Sequence, residues 1–506
     1  MKNNNKVMGK IFVMIAGLSL ASGNAMAMMS NGHQHNEQGR VFQLPAITTG
    51  VGFYDKHRNE RLAAWSLQQI NASLPLIQDP WSVQMLTQMS AEMNILVRPL
   101  PLYSLVLIND NNINAFAVPG GLIGMNTGTI LSSQSLDEVA SVLAHEIAHI
   151  SQRHYESRLE NNKKLLAMQL GGLLAAIAAS AASGDAAVVA MAGAHTASAE
   201  GAATHSREHE READRVGMQI LSQAGYDARA MPRFFARLHR QTTLNSSGQG
   251  VFLPTFVQSH PFTSERLSEA TARADSHLPP SMSQRQEQAV LFDRWFWRLK
   301  YLTKQTTHTE LISNAEQSAG ARLALALWLA DHHRHQEARQ TLEAGKFDAY
   351  DPLVCLTKAH LAAAVKEYDK AVNELSVCQK IYPERRDLRV QLAEYHIHAG
   401  DAVSALALLT PLTTDDSYDS LAWSIIQQAY ELLAKNATSN DARHNANIHA
   451  LRSRSRVELW RADYKASLQS LAQAIKIATD YDKQSSLTLL KKDQQLVQAA
   501  KDFQPK

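Results

Sequence analysis

His145-Glu146-Ile147-Ala148-His149 is the stretch that decides how this chain is read. On a helix, histidines four residues apart stand on one face, about one turn from each other. Two imidazoles so placed can share one Zn²⁺, with Glu146 beside the water that such an ion activates, in position to act as general base. The flanks suit a helix. Ser135 can cap it, Asp137 and Glu138 fall in its first turn, and Val139, Val142, Leu143, Ile147 and Ile150 supply apolar positions.

Zinc needs a third protein ligand, and spacing narrows the choice. A metzincin would read H-E-x-x-H-x-x-G-x-x-H. Here those last two positions hold Gln152 and Tyr155, which excludes that class, and His154 comes too early to substitute. A glutamate from a second helix is the other common solution. Residues 206–221 look like that helix, with Glu210 and Asp214 one turn apart on one face. Glu210 can ligate the metal, and Asp214 can hold a ligand histidine by hydrogen bond or relay a proton. Glu208 and Glu212 point elsewhere on the wheel and read as solvated charge.

H-E-x-x-H followed downstream by Glu210-x-x-Ala213-Asp214 resembles the HtpX/CAAX-prenyl-protease superfamily of zinc metallopeptidases. Ile113 to Gly121 resembles the strand-turn-strand that precedes the zinc helix there. Read from the residues, Leu105–Ile108 and Ala115–Val118 are strand candidates around the turn-rich tract 109–112, and Pro119-Gly120-Gly121 turns into Leu122–Met125. A strand bordering a peptidase cleft can pair with an extended substrate. Ser259-His260-Pro261, followed by Glu265-Arg266-Leu267, resembles the superfamily's His-Pro segment.

Residues 1–27 have the pattern of a secretory signal peptide: Lys2, Lys6 and Lys10, an apolar core Ile11–Leu20, and Ala25-Met26-Ala27 as cleavage signal. That core is too short to span a bilayer. Removing three lysines lowers the formal charge from +2 to −1. A near-neutral chain is not an electrostatically driven nucleic-acid binder.

Towards the C-terminus the pattern becomes repetitive. Ala326 and Ala338, Ala359 and Ala371, and Ala393 and Ala405 are pairs twelve residues apart, at steps of 33 or 34. This is the tetratricopeptide period, in which small residues sit where two antiparallel helices cross. Leu325, Leu342, Leu375, Leu392 and Leu409 take the large apolar positions, 450–479 is a looser copy, and 420–448 is helical but off-period. Such solenoids usually bind proteins. The expected fold is mainly α: a zincin-like metallopeptidase domain with a small β-sheet over 28–290, then a tetratricopeptide-repeat solenoid over 310–490, behind the signal peptide 1–27.

With those repeats and that leader, the chain resembles the β-barrel assembly-enhancing protease family. The resemblance implies a periplasmic peptidase and chaperone for misfolded or stalled outer-membrane β-barrel proteins, docked on the barrel-assembly machinery through its repeats. Carried over by motif, His145, His149 and Glu210 bind one Zn²⁺ per chain, Glu146 is the base, and Asp214 is the acidic partner. His260 matches a histidine able to fill the fourth zinc position, which would make its loop a switch beside the polar tract 245–250. Two other functions stay open: a zinc-stabilised chaperone or adaptor without proteolysis, and a broad housekeeping peptidase.

Residues 165–204 are rich in Ala and Gly where membrane-embedded relatives carry transmembrane helices. Here they read as two helices, partly buried or lying over the cleft, with at most peripheral membrane contact. Cys355 and Cys378 fall near the start of one repeat helix and the end of its partner, within reach of a disulfide. The histidines at 33/35 and 332/333/335 read as surface groups.

Overall fold

The structure is a computed structural model. It describes residues 56–97, 102–154, 199–245, 256, 259–261, 263–414 and 418–505, all within one compact unit, Ile47–Lys506. The leader, the histidines at 33/35 and positions 165–198 of the Ala/Gly-rich interval lie outside the described residues. Among the described residues no helix is long and apolar enough to cross a membrane.

Helices α1 (Lys56–Ser73) and α2 (Pro80–Asn94) come first. Asp79 caps α2 by accepting from the Ser82 N–H, with Pro80 in the first turn. A three-stranded sheet follows: β1 (Ser104–Ile108), β2 (Ala115–Val118) and β3 (Leu122–Asn126), in the order β1-β3-β2. The two strands around 109–112 do not pair with each other. β3 lies between them, parallel to β1 and antiparallel to β2. The tight turn is the one at Pro119-Gly120-Gly121. Gly120 has φ +90°, and a Cβ there would stand 2.2 Å from the Asn59 carbonyl oxygen of α1, so the position accepts only glycine.

Short α3 (Thr127–Ser132) leads to α4 (Leu136–Ser151), which carries the H-E-x-x-H pentad. Ser135 caps α4 through the Glu138 N–H as expected. Every residue from Leu136 to Ile150 is buried, polar ones included, so α4 is a central helix and not one with a single apolar stripe. Against it lie α5 (Ala199–Gln223) and α6 (Ala230–Asn245). Arg237 of α6 forms a salt bridge to the buried Glu138. Helix α7 (Ser264–Ala274), capped by Thr263, packs against α5 and α6.

Helix α8 (Met282–Leu302) starts with a capping box made by Ser281 and Gln284. It touches α2, α3 and α4 and then packs on the helices that follow. These are α9 (His308–Ala315), α10 (Ala319–Asp331), α11 (His335–Glu343), α12 (Pro352–Ala364), α13 (Tyr368–Ile381), α14 (Arg386–His398), α15 (Ala402–Thr413), α16 (Ser420–Asn436), α17 (Asn440–Trp460), α18 (Tyr464–Asp480) and α19 (Gln484–Lys501). From α10 on, each packs on the next. The six paired alanines are buried without residue, as are Leu375 and Leu409. The off-period segment is explained by length: α16 and α17 run 17 and 21 residues, against 13 and 14 for α12 and α13. Cys355 of α12 and Cys378 of α13 are joined as a disulfide, Cα–Cα 6.5 Å.

The helical array is not a detached appendage. Leu62, Leu67 and Ile70 of α1 share an apolar cluster with Val390, Trp423 and Val457. Tyr464 donates to Gln68 at 2.7 Å, and Arg298 of α8 holds the capping residue Asp79 with Nε–Oδ2 at 2.8 Å.

Candidate metal centre

Two helices bring the pieces together. α4 and α5 approach closely because Gly217 faces α4: a Cβ there would stand 3.1 Å from the backbone N and Cα of His145. The small residue lets the carboxylates of α5 reach the histidines of α4. Glu210 Oε2 lies 3.4 Å from His145 Nε2, and Glu210 Oε1 lies 3.5 Å from His149 Nε2. The two histidine Nε2 atoms are 3.1 Å apart.

His260 completes the group from its own loop. Its backbone N–H donates to Phe256 at 2.8 Å, and Phe256 in turn donates to Ile113 at 3.1 Å, which ties the loop to the chain just before β2. The ring sits with Nδ1 at 3.3 Å from His145 Nε2 and 3.1 Å from Glu210 Oε2. His145, His149, Glu210 and His260 each offer one ligand atom, all within 4.8 Å of one another and all buried. Donors at about 2.0–2.1 Å from one tetrahedral ion stand about 3.3–3.4 Å apart. The separations of 3.1–3.5 Å bracket that value, so the donor set fits a zinc-sized cation.

Glu146 is fully buried beside this group. Neither of its carboxylate oxygens reaches a partner in good hydrogen-bond geometry, although His260 Nε2 stands 3.4 Å from Oε1. Burial raises its pKa, against the opposing pull of the His260 and His145 rings and the Ala117 backbone. A raised carboxylate is what a proton acceptor in a closed site needs.

The carboxylates of α5 are held the other way. Burial works against the ionisation of Glu210, but the surrounding rings outweigh it and keep its pKa well below the usual range. Asp214 is lowered too, because His145 and Arg266 outweigh its burial. Asp214 Oδ1 lies 3.1 Å from His145 Nδ1, on the far side of that ring from the ligand atoms. Arg266 of α7 grips the same carboxylate with two nitrogens, at 2.8 and 2.9 Å, and donates to the Pro261 carbonyl at 2.8 Å. Burial would lower the His145 pKa, yet Asp214 and Glu210 push it up to about 9. Burial drives the His149 pKa well below 6.5, against the opposing pull of Glu210.

The structure brings His145, Glu146, His149, Glu210, Asp214 and His260 into one place. Sequence reading passed over three others. Arg266 was quoted as part of a segment but given no task. Gly217 was unremarked, and its signal was a glycine inside a strong helical pattern. His154 was set aside as a ligand, and it lies 3.0 Å from the outer nitrogen of His149. Glu208 is exposed as expected. Glu212 is not simply solvated, since its Oε2 meets His154 at 3.3 Å.

Residues 77–274 match the model of peptidase family M48. The chain is similar to the "Beta-barrel assembly-enhancing protease" of Escherichia coli (strain K12), 26% identical over 403 residues that cover 76% of this chain and 80% of that protein. The Yersinia pestis protein of the same name is 28% identical over 405 residues, with the same coverage. A "Putative beta-barrel assembly-enhancing protease" of Vibrio cholerae is 39% identical over 181 residues, 35% of this chain and 36% of that one. The family match spans the whole buried His/His/Glu/His group, and the two together mark a metalloendopeptidase active site.

Proposed function

We propose that this M48-family peptidase, a relative of the β-barrel assembly-enhancing proteases, is a zinc-dependent endopeptidase. Its field of action is the quality control and assembly of outer-membrane β-barrel proteins in the periplasm. The single observation that carries the chemistry is the closed set of four ligand atoms with Glu146 against it. His145, His149 and Glu210 would hold one Zn²⁺, with His260 as the fourth ligand. Zinc bound there supplies a Lewis acid that makes water nucleophilic near neutral pH and steadies charge on a scissile carbonyl.

The chain's own residues do the rest. Glu146 accepts the proton from water and returns it to the departing amine. Asp214 acts through His145, orienting its ring, and does not itself reach the reacting atoms. His260 is a latch: seated among the ligand atoms and 3.4 Å from Glu146, it would compete with water and substrate for that place. Opening would move the loop 259–261 away from the ligand group and from Glu146. β2, the edge strand next to Glu146, then offers its backbone to an extended substrate.

The remaining assignments rest on the relatives and on the sequence pattern. Residues 28–290 form the peptidase, and 310–490 form a tetratricopeptide-type array that docks on the barrel-assembly machinery. Residues 1–27 direct export. Contact with a membrane is at most peripheral, and nucleic acid is not a partner.

The test is cleavage of an unfolded outer-membrane β-barrel precursor, beside an unfolded soluble protein, with zinc determined on each sample. Wild type should cleave the barrel precursor preferentially. Glu146→Gln should keep its zinc and lose turnover, and His260→Ala should cleave faster than wild type. Cleavage by Glu146→Gln would remove that residue from the scheme. Equal cleavage of both substrates would mean a broad housekeeping peptidase. Zinc-loaded protein inactive even as His260→Ala would mean a non-proteolytic chaperone.

A further inference from the structure

His154 is buried at 2% exposure and takes no part in the scheme above. Its position is specific. α4 ends at Ser151, and Arg153 follows in the left-handed region with φ 54°. A non-glycine residue rarely adopts that conformation outside turns. Here the turn brings the His154 ring back against His149, with Nδ1 to Nδ1 at 3.0 Å. The ring of His209 stacks on it at 4.4 Å, nearly parallel.

The proton arrangement follows from the metal geometry. His149 turns Nε2 towards Glu210 and His145. A neutral imidazole that ligates through Nε2 carries its hydrogen on Nδ1. That buried N–H needs an acceptor, and His154 Nδ1 is in place. To accept there, His154 keeps its own hydrogen on Nε2, which stands 3.3 Å from Glu212 Oε2. One set of tautomers satisfies the whole chain: His149 donates to His154, and His154 donates to Glu212.

We propose that His154 is a positioning residue that fixes the tautomer and ring orientation of His149, with Glu212 as its outer anchor. The two pentad histidines are thus braced differently. His145 leans on a carboxylate directly, through Asp214 and Arg266. His149 leans on one through an intervening ring. Three acidic residues of α5, at 210, 212 and 214, serve the site in turn as ligand, far anchor and near anchor.

This inference rests on the metal reading, and the test separates the two. The full chain is stripped of metal and reloaded. Zn²⁺ affinity is measured by chelator competition, and Co²⁺-substituted protein is followed by its d–d absorption. His154→Leu should lose about 10–100-fold in affinity and shift the Co²⁺ spectrum, as expected when an outer partner of a ligand histidine is removed. His154→Gln keeps an acceptor oxygen and should recover most of the loss. Glu212→Gln should lose less than His154→Leu. Wild-type affinity and spectrum in His154→Leu would overturn the proposal. So would a His154→Gln as weak as His154→Leu, which would mean that only ring packing matters. If His154→Leu does not fold, wild-type affinity in Glu212→Gln overturns the brace as drawn. Wild-type protein that binds neither ion would instead sink the metal reading itself.

Discussion

The α4–α5 pair and the α12–α13 pair are both helix crossings built on small residues, but they bury opposite chemistry. Gly217 brings α5 against the backbone of α4, and the space so made is filled with three histidines, three carboxylates and an arginine. Ala359 and Ala371 lie fully buried on α12 and α13, with Leu356 and Leu375 buried on the same helices, which the Cys355–Cys378 disulfide joins. The first crossing is a cage of mutually dependent charges. In the second, van der Waals packing and one covalent staple carry the load. Substitutions should therefore behave differently in kind as well as in size.

The largest difference should come from Arg266→Met. It takes the guanidinium from two buried carboxylates, Asp214 and Glu210, and removing one partner of a buried ion pair typically costs about 3–5 kcal/mol. Urea unfolding of the metal-free protein measures it. A loss under 1 kcal/mol would mean that the cage is not held by charge. Next comes the staple. Replacing both Cys355 and Cys378 by alanine should cost about 2–4 kcal/mol for a loop of this size, with zinc affinity unchanged. Altered zinc affinity would break the separation of the two crossings.

The sharpest version of the comparison uses one added group on each side. Gly217→Ala and Ala359→Leu both overpack a crossing and should each cost about 1–3 kcal/mol. Only Gly217→Ala should also weaken metal binding, because it pushes Glu210 away from the histidines. The smallest effect is expected at the contact between the regions. The Asp79 side chain is 8% exposed, and desolvation alone would raise its pKa, but the Arg298 guanidinium outweighs that and holds it below 3.8. A depressed folded-state pKa gives stability that is complete above the unfolded value and is lost as pH falls through the folded one. Asp79→Asn should therefore cost about 1.5 kcal/mol at pH 7, and the gap to wild type should close below about pH 4. A gap that persists in acid would assign the effect to packing.

Much of this was legible in the residues because the signals are local. The pentad, the Ser135 cap, the Glu210/Asp214 face and the alanine spacing all follow from helical geometry over a few turns. Strand identity was legible too, but strand order was not. β1 and β2 flank a turn-rich tract and would suit a hairpin, yet β3 inserts between them, and pairing between distant segments leaves no local trace. The outer braces were illegible for the same reason. Arg266 reaches Asp214 across 52 positions and His154 reaches Glu212 across 58, and neither spacing has a period. The burial of α4 on every side also escaped a wheel diagram, which assumes one wet face.

Helix α8 has a consequence for how the molecule can be taken apart. It runs unbroken from Met282 to Leu302, about 30 Å at 1.5 Å per residue, with contacts to the pentad helix α4 and to α10 of the array. A chain ended at residue 290 would keep the catalytic motifs and lose the fully buried Trp295 and the Arg298 that secures Asp79. A chain begun at 310 would lack the same rod. One helix thus packs on the pentad helix and on the array alike, so a cut at either position should unfold more of the molecule than the segment it removes.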